Sequence, residues 1–234
     1  MYHLPMTEEL MVGTVGWNHG DWVGGYYPDD MPDEWRFGYY SNDFRAVLVP
    51  GDHFTDAQLS VVDDWLEDCD ESFRFIVEIP TDLLPESACD RLTEFLDRLA
   101  GLGGRAAGYY IDLSAVDLDR IGVSDLLERI ANRGPLCVNM PLSSINSDDL
   151  DEVLSRLQVG RCWLPNATPA PVAGGGLMLA LTDTKDPKKQ RHIVEALEDW
   201  MKLSGGVAGV FFYGGVKATK AASQTRIIAE MLGI

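Results

Sequence analysis

Short apolar runs alternate with amphipathic segments along the whole chain. Eight runs have the length and content of buried strands: Met11–Val15, Ala46–Val49, Phe73–Ile79, Ala107–Leu113, Leu136–Met140, Arg161–Leu164, Leu177–Leu181 and Val207–Tyr213. Between most of them apolar residues recur at helical spacing. Leu92, Phe95, Leu96 and Leu99 form one stripe, stopped by Gly101 and Gly103. Leu150, Val153, Leu154 and Leu157 form another, with Ser147 as its N-cap and Gly160 as its stop. Asp186-Pro187 opens a third, which buries Ile193, Leu197, Trp200 and Met201. Strand–helix alternation repeated eight times predicts an α/β fold, a single closed (β/α)8 TIM-type barrel, with a doubly wound open sheet as the alternative. Pro165, Pro169 and Pro171 followed by Gly174-Gly175-Gly176 cannot be an ordinary helix, so the sixth crossover is predicted to be shortened to a loop. No second hydrophobic unit and no linker is visible, so residues 1–234 are expected to be one domain.

Period two then says which side chains enter the barrel. If Phe73, Phe75, Val77 and Ile79 face the helices, Ile76 and Glu78 face inward, with Glu78 at the upper rim. In the same way Tyr110 and Asp112 point inward from the fourth strand and Asn139 from the fifth. The second strand runs into Gly51-Asp52-His53 and the seventh into Thr182-Asp183. Strand ends are where barrels build their sites. Two inward carboxylates on neighbouring strands raise one another's pKa, as a general acid requires, or recruit a cation. Glu78 and Asp112 are therefore the candidate acid–base pair, or ligands of a divalent cation, with Asp52 and His53 assisting. The structural alternative is a pair satisfied by arginine or tryptophan N–H groups and water. His3 falls in the terminal segment and His192 in the first turn of a surface helix, while His19 and His53 follow strands one and two. Gly214-Gly215, with Lys217, Lys220 and Lys185 nearby, offers a second candidate at a helix N-terminus suited to an anion, or simply a turn.

The segment that ends the first strand and runs into the loop after it, Gly13-Thr-Val-Gly-Trp-Asn-His-Gly-Asp-Trp-Val-Gly-Gly-Tyr-Tyr-Pro28, is unusual in carrying Trp17, His19, Trp22, Tyr26 and Tyr27. It either plugs one end of the domain or forms a binding floor on which Trp17 and Trp22 stack against a sugar-like or planar ligand. The segment resembles the opening Gly-Thr-x-Gly-Trp-x-x-x-x-Trp-x-Gly-x-Phe-Tyr-Pro of the YecE-like barrels, domain of unknown function family 72. Pro32-Asp33-Glu34-Trp35, Tyr39-Tyr40, Phe73-Arg74-Phe75 and Val210–Tyr213 extend the resemblance. It implies a barrel whose mouth opens beside the first loop, and no settled activity. Several polar positions of that family are replaced: Leu48 stands at a glutamate, Pro50 at an asparagine, Glu78 at a lysine. Leu179–Thr182 replaces an Arg-x-His-Gly segment, and Tyr213-Gly214 an Asn-Asn pair.

Charge narrows the partners. A formal net charge of −18, with 24 Asp and 13 Glu against 13 Arg and 6 Lys, lacks the positive surface that a phosphate-backbone binder needs. No apolar run approaches the roughly 20 residues that cross a bilayer, so no membrane partner is expected. No secretory signal and no Cys-x-x-Cys pair is visible, and Cys69, Cys89, Cys137 and Cys162 read as reduced thiols in a cytoplasmic protein. Two functional classes remain. The loss at Leu48 and Pro50 favours a non-catalytic or vestigial barrel that binds a small molecule or a protein partner. The acidic mouth favours a small-molecule hydrolase, lyase or isomerase.

Overall fold

The computed structural model describes residues 10–53, 62–118, 122–140, 148–170 and 174–234. Eight parallel strands are present: β1 (Met11–Val15), β2 (Ala46–Val49), β3 (Arg74–Glu78), β4 (Ala106–Asp112), β5 (Leu136–Asn139), β6 (Gly160–Arg161), β7 (Leu177–Thr182) and β8 (Val207–Phe212). They pair in the order β6-β5-β4-β3-β2-β1-β8-β7. The ring closes just beyond β6. There the Trp163 amide donates to the Leu179 carbonyl at 2.8 Å, and the Leu181 amide donates to the Trp163 carbonyl at 3.0 Å. Around this (β/α)8 barrel lie α1 (Arg36–Asp43), α2 (Val62–Glu67), α3 (Cys89–Leu99), α4 (Val123–Ala131), α5 (Asp148–Arg156), α6 (Pro187–Ser204) and α7 (Lys217–Leu232). Among the described residues of the β6–β7 crossover there is no helix, only a turn anchored by Thr168 on Leu164.

Alternation along the strands sorts apolar residues into two cores. Met11, Ala46, Leu48, Ile76, Tyr110, Cys137, Leu177, Leu179 and Phe211 fill the barrel. The intervening residues, such as Val47, Phe75, Val77, Ile111, Val138 and Val210, pack outward on the helices. Burial on both faces is what makes these strands continuously apolar.

One tyrosine wedges the sheet from outside. The Tyr40 hydroxyl, fully buried, accepts from the Thr14 amide at 3.0 Å and donates to the Ala46 carbonyl at 3.0 Å, between β1 and β2. Gly13 makes room for it: a Cβ there would lie 2.1 Å from the Ala46 oxygen and 3.1 Å from the Tyr40 hydroxyl.

The predicted stripe of α3 is buried, as is that of α6 apart from Met201, which is half-buried. The Asp186 side chain caps α6 by accepting from the Lys188 amide at 2.9 Å, with Pro187 in the first turn. Residues 1–9, with His3, and Ser147 and Pro171 lie outside the described residues. The stop of α5 differs from expectation. Gln158, at φ 53°, turns the chain, while Gly160 is the first residue of β6. Glycine is needed there for another reason: a Cβ would stand 1.7 Å from the Leu177 carbonyl oxygen.

Candidate functional site

The upper rim is built from the C-terminal ends of the strands, where alternate residues project inward above the apolar filling. Glu78 ends β3 half-buried, and its Oε2 accepts from the Gly51 amide at 3.0 Å. Gly51 sits under the loop after β3, since a Cβ on it would come within 3.0 Å of Pro80. Asp112 ends β4 level with Asn139 of β5. Its Oδ1 accepts from the Ser114 amide at 2.8 Å and from Asn139 Nδ2 at 3.1 Å. Glu78 is level with Tyr110, so Asp112 stands two residues higher on the next strand. Among the described residues neither carboxylate is paired with an arginine or lysine.

The pair is electrostatically uneasy. Burial pushes the Glu78 carboxyl above its ordinary range, the Gly51 amide opposes this, and the charges of Asp112 and Asp52 add to it. Tyr110, level with Glu78 and below Asp112, is raised by burial and by the neighbouring thiols and carboxylates. The apolar floor beneath them includes Leu48 and Ile76, 1% and 0% exposed.

The opposite rim carries residues that the sequence reading passed over. Tyr213, 45% exposed, follows β8 and lies close enough to Asp183 for that charge to raise its pKa, after burial. Asn166 Nδ2 donates to Asp183 Oδ1 at 3.1 Å. Asn166 belongs to the helix-free crossover, which gives no periodicity to place it, and Tyr213 ends the last apolar run.

The aromatic loop is packed on its own neighbours. Trp17 is 5% exposed, its ring 4.8–5.1 Å from those of Phe37, Trp65 and His53. Trp22 is 1% exposed and lies 4.6 Å from the His19 ring, with Tyr26 and Tyr27 beyond. His19 Nε2 is 2.8 Å from the Val15 carbonyl. The Tyr27 hydroxyl donates to the Trp17 carbonyl at 2.6 Å. Arg36 covers the Tyr27 ring and binds Asn18 and Asp33. His53 is held below its ordinary pKa by burial, Asp52 at 3.7 Å opposing and His19 reinforcing this. Asp52 itself projects into solvent.

Gly214 and Gly215 take φ of 99° and 73° and lead into α7 at Lys217. The groups facing them are acidic. A Cβ on Gly215 would lie 2.8 Å from Asp21 Oδ2, and one on Gly214 would lie 3.6 Å from the Asp183 Cβ. Among the described residues no group of three or more His, Cys, Asp or Glu side chains is arranged to hold a metal ion. A divalent cation at Glu78 and Asp112 would therefore take the rest of its shell from water or ligand. No described helix is long and apolar enough to cross a membrane.

Comparison with known structures returns the same architecture. The chain is similar to a DUF72 family protein from Thermotoga maritima, with TM-score 0.68 and 15% identity, over 97% of this chain and 100% of that one. It is also similar to a DUF72 family protein from Enterococcus faecalis, with TM-score 0.70 and 12% identity, over 95% and 96% of the two chains. At these identities the likeness speaks for the fold. No curated protein matches the sequence. The family model described as "Protein of unknown function DUF72" matches residues 11–233. With all but the chain's extreme ends covered by that match, the protein belongs to the DUF72 family.

Proposed function

We propose that the barrel mouth binds a small molecule presenting hydroxyl or ammonium donors, and that Glu78 and Asp112 are the groups that recognise it. The observation carrying this reading is that two half-buried carboxylates share one rim without a cationic partner among the described residues. Each is held by hydrogen bonds that leave acceptor capacity free, and a ligand donor would relieve their mutual repulsion. Asn139 and Tyr213 add polar contacts, while the aromatic loop serves as a packed wall. The apolar residue at position 48 supports binding as the primary role.

Proton transfer is the second reading, favoured by the raised Glu78 beside Asp112. In it Glu78 donates the proton and Asp112 accepts one, which suits a hydrolase, lyase or isomerase. Thermal-shift screening with polyols, amino sugars and small amines tests the site. Ligands that raise Tm of the wild type and fail on Glu78→Gln/Asp112→Asn support it, and equal shifts in both proteins reject it. NMR of a bound ligand then separates the readings, since only the second converts it. Mg²⁺ or Mn²⁺ stabilising the wild type beyond matched NaCl would identify a cation as the occupant.

A further inference from the structure

Two aromatic side chains beside the first helix are left uncovered. Trp35 is the N-cap of α1 and has helical backbone angles, so Tyr39 stands one turn further on the same face. Trp35 is 66% exposed and Tyr39 38%, whereas Tyr40, the next residue, points into the protein and is fully buried. Tyr39 is not a loose surface ring. The Tyr26 and Tyr27 rings meet it edge-on, at centroid distances of 5.4 and 5.6 Å. Behind them Arg36 lies over the Tyr27 ring and pairs with Asp33. The cation native to this aromatic group is therefore used on its inner side. Among the described residues no arginine or lysine lies over Trp35 or Tyr39. Carboxylates surround the pair. Asp29, Asp30, Asp33 and Glu34 lead into it, and Asp43 follows Tyr39 by one more turn. All are exposed, and among the described residues only Asp33 of these has an ion pair. Asp29 folds back on the aromatic loop, since a Cβ on Gly24 would stand 2.7 Å from its Oδ1.

We propose that the Trp35–Tyr39 face docks an arginine-bearing segment of a partner protein. A guanidinium is planar, stacks on an aromatic face and pairs edge-on with carboxylates, which matches what this face presents. It lies over the Trp35 indole, donates to Glu34 or to the Asp29-Asp30 carboxylates, and its apolar stem covers Tyr39. Lysine, a compact and strongly hydrated charge, is the poorer fit. A neutral partner would desolvate these carboxylates without pairing them, and an acidic one would be repelled. The formal net charge of −18 draws the same kind of segment from a distance. Trp, Tyr and Arg are also the residues in which interfaces concentrate their binding energy.

The test titrates the full chain, labelled with nitrogen-15, with acetyl-Gly-Arg-Gly-Arg-Gly-amide and with its citrulline counterpart, which keeps the shape and loses the charge. The Trp35 indole N–H signal, assigned by its loss in Trp35→Ala, is expected to shift saturably with the arginine peptide alone. Trp35→Ala weakens binding about tenfold, read at the backbone amides of α1. Asp29→Asn/Asp30→Asn/Glu34→Gln weakens it and flattens its salt dependence. These side chains are exposed, so each variant keeps the wild-type Tm. Glu78→Gln/Asp112→Asn binds the peptide as the wild type does, whatever ligand the mouth takes. No plateau by about 5 mM peptide, equal affinity for the citrulline peptide, or unchanged affinity in Trp35→Ala overturns the proposal. Loss of binding in Glu78→Gln/Asp112→Asn also overturns it. So does a wild-type dimer that Trp35→Ala dissolves, which would give the face to a second copy of the chain.

Discussion

The loop after β1 and the rim formed by β3, β4 and β5 flank the same mouth and are built differently. In the loop, Trp17, Trp22 and Tyr27 are buried against each other, α1 and α2, and Arg36 and Asn18 answer one another. At the rim, Glu78 and Asp112 are half-buried, held by one and two N–H groups respectively and left to repel. The conspicuous aromatic residues are thus spent on packing, and the unspent interactions belong to residues with no motif around them. Stability should follow the first region and ligand response the second.

Truncation in the loop is expected to have the largest effect. Trp22→Ala empties a space that is 1% exposed, and about 3–5 kcal/mol should be lost in urea unfolding. A loss below about 1 kcal/mol would mean that the loop is not part of the core. Next comes Tyr40→Phe, which keeps the ring and strips the hydroxyl from between the Thr14 amide and the Ala46 carbonyl. About 1–3 kcal/mol should be lost, with amide exchange accelerated at Thr14.

At the rim the sign reverses. The Glu78 pKa is raised above its ordinary 4.5 in the folded state, so its stabilising contribution is complete below that value and is lost as pH rises through the folded pKa. Glu78→Gln, which still accepts from Gly51, should therefore melt about 1–3 °C above wild type at pH 7.5 and show no such gain at pH 4. A lower Tm at pH 7.5 would show that the carboxylate stabilises the fold and would erase the contrast. The smallest change is Asp52→Asn. It should leave the unfolding curve in place and lower the His53 pKa further, read by NMR, because Asp52 is what opposes the effect of burial there.

Strand positions were legible because burial on both faces writes itself as apolar runs; β1 and β2 match residue for residue. The inward placement of Glu78, Asp112 and Asn139 followed from alternation alone. The sixth strand was harder. Its run, Arg161–Leu164, is shared between two neighbours: the Cys162 amide still bonds Val138 of β5, whereas Trp163 bonds β7. Composition carries no sign of such a change of partner. The Gly160 misreading has the same root, since a glycine needed for close strand approach looks identical to one that ends a helix. Asn166 and Tyr213 entered the mouth through loop geometry and strand ends, which periodicity does not encode.

The closure at Trp163 gives the barrel a mechanical asymmetry. β7 and β8 are laced over six residue pairs, whereas among the described residues the seam has a single strand bridge, Trp163 to Ala180, flanked by the Gly176 amide on the Gln158 carbonyl and by Asn166 on Asp183. A load or a thermal fluctuation spread around the ring concentrates at its shortest ladder, so the hoop unbuckles there first and the wall opens as a flat ribbon hinged on the far strands.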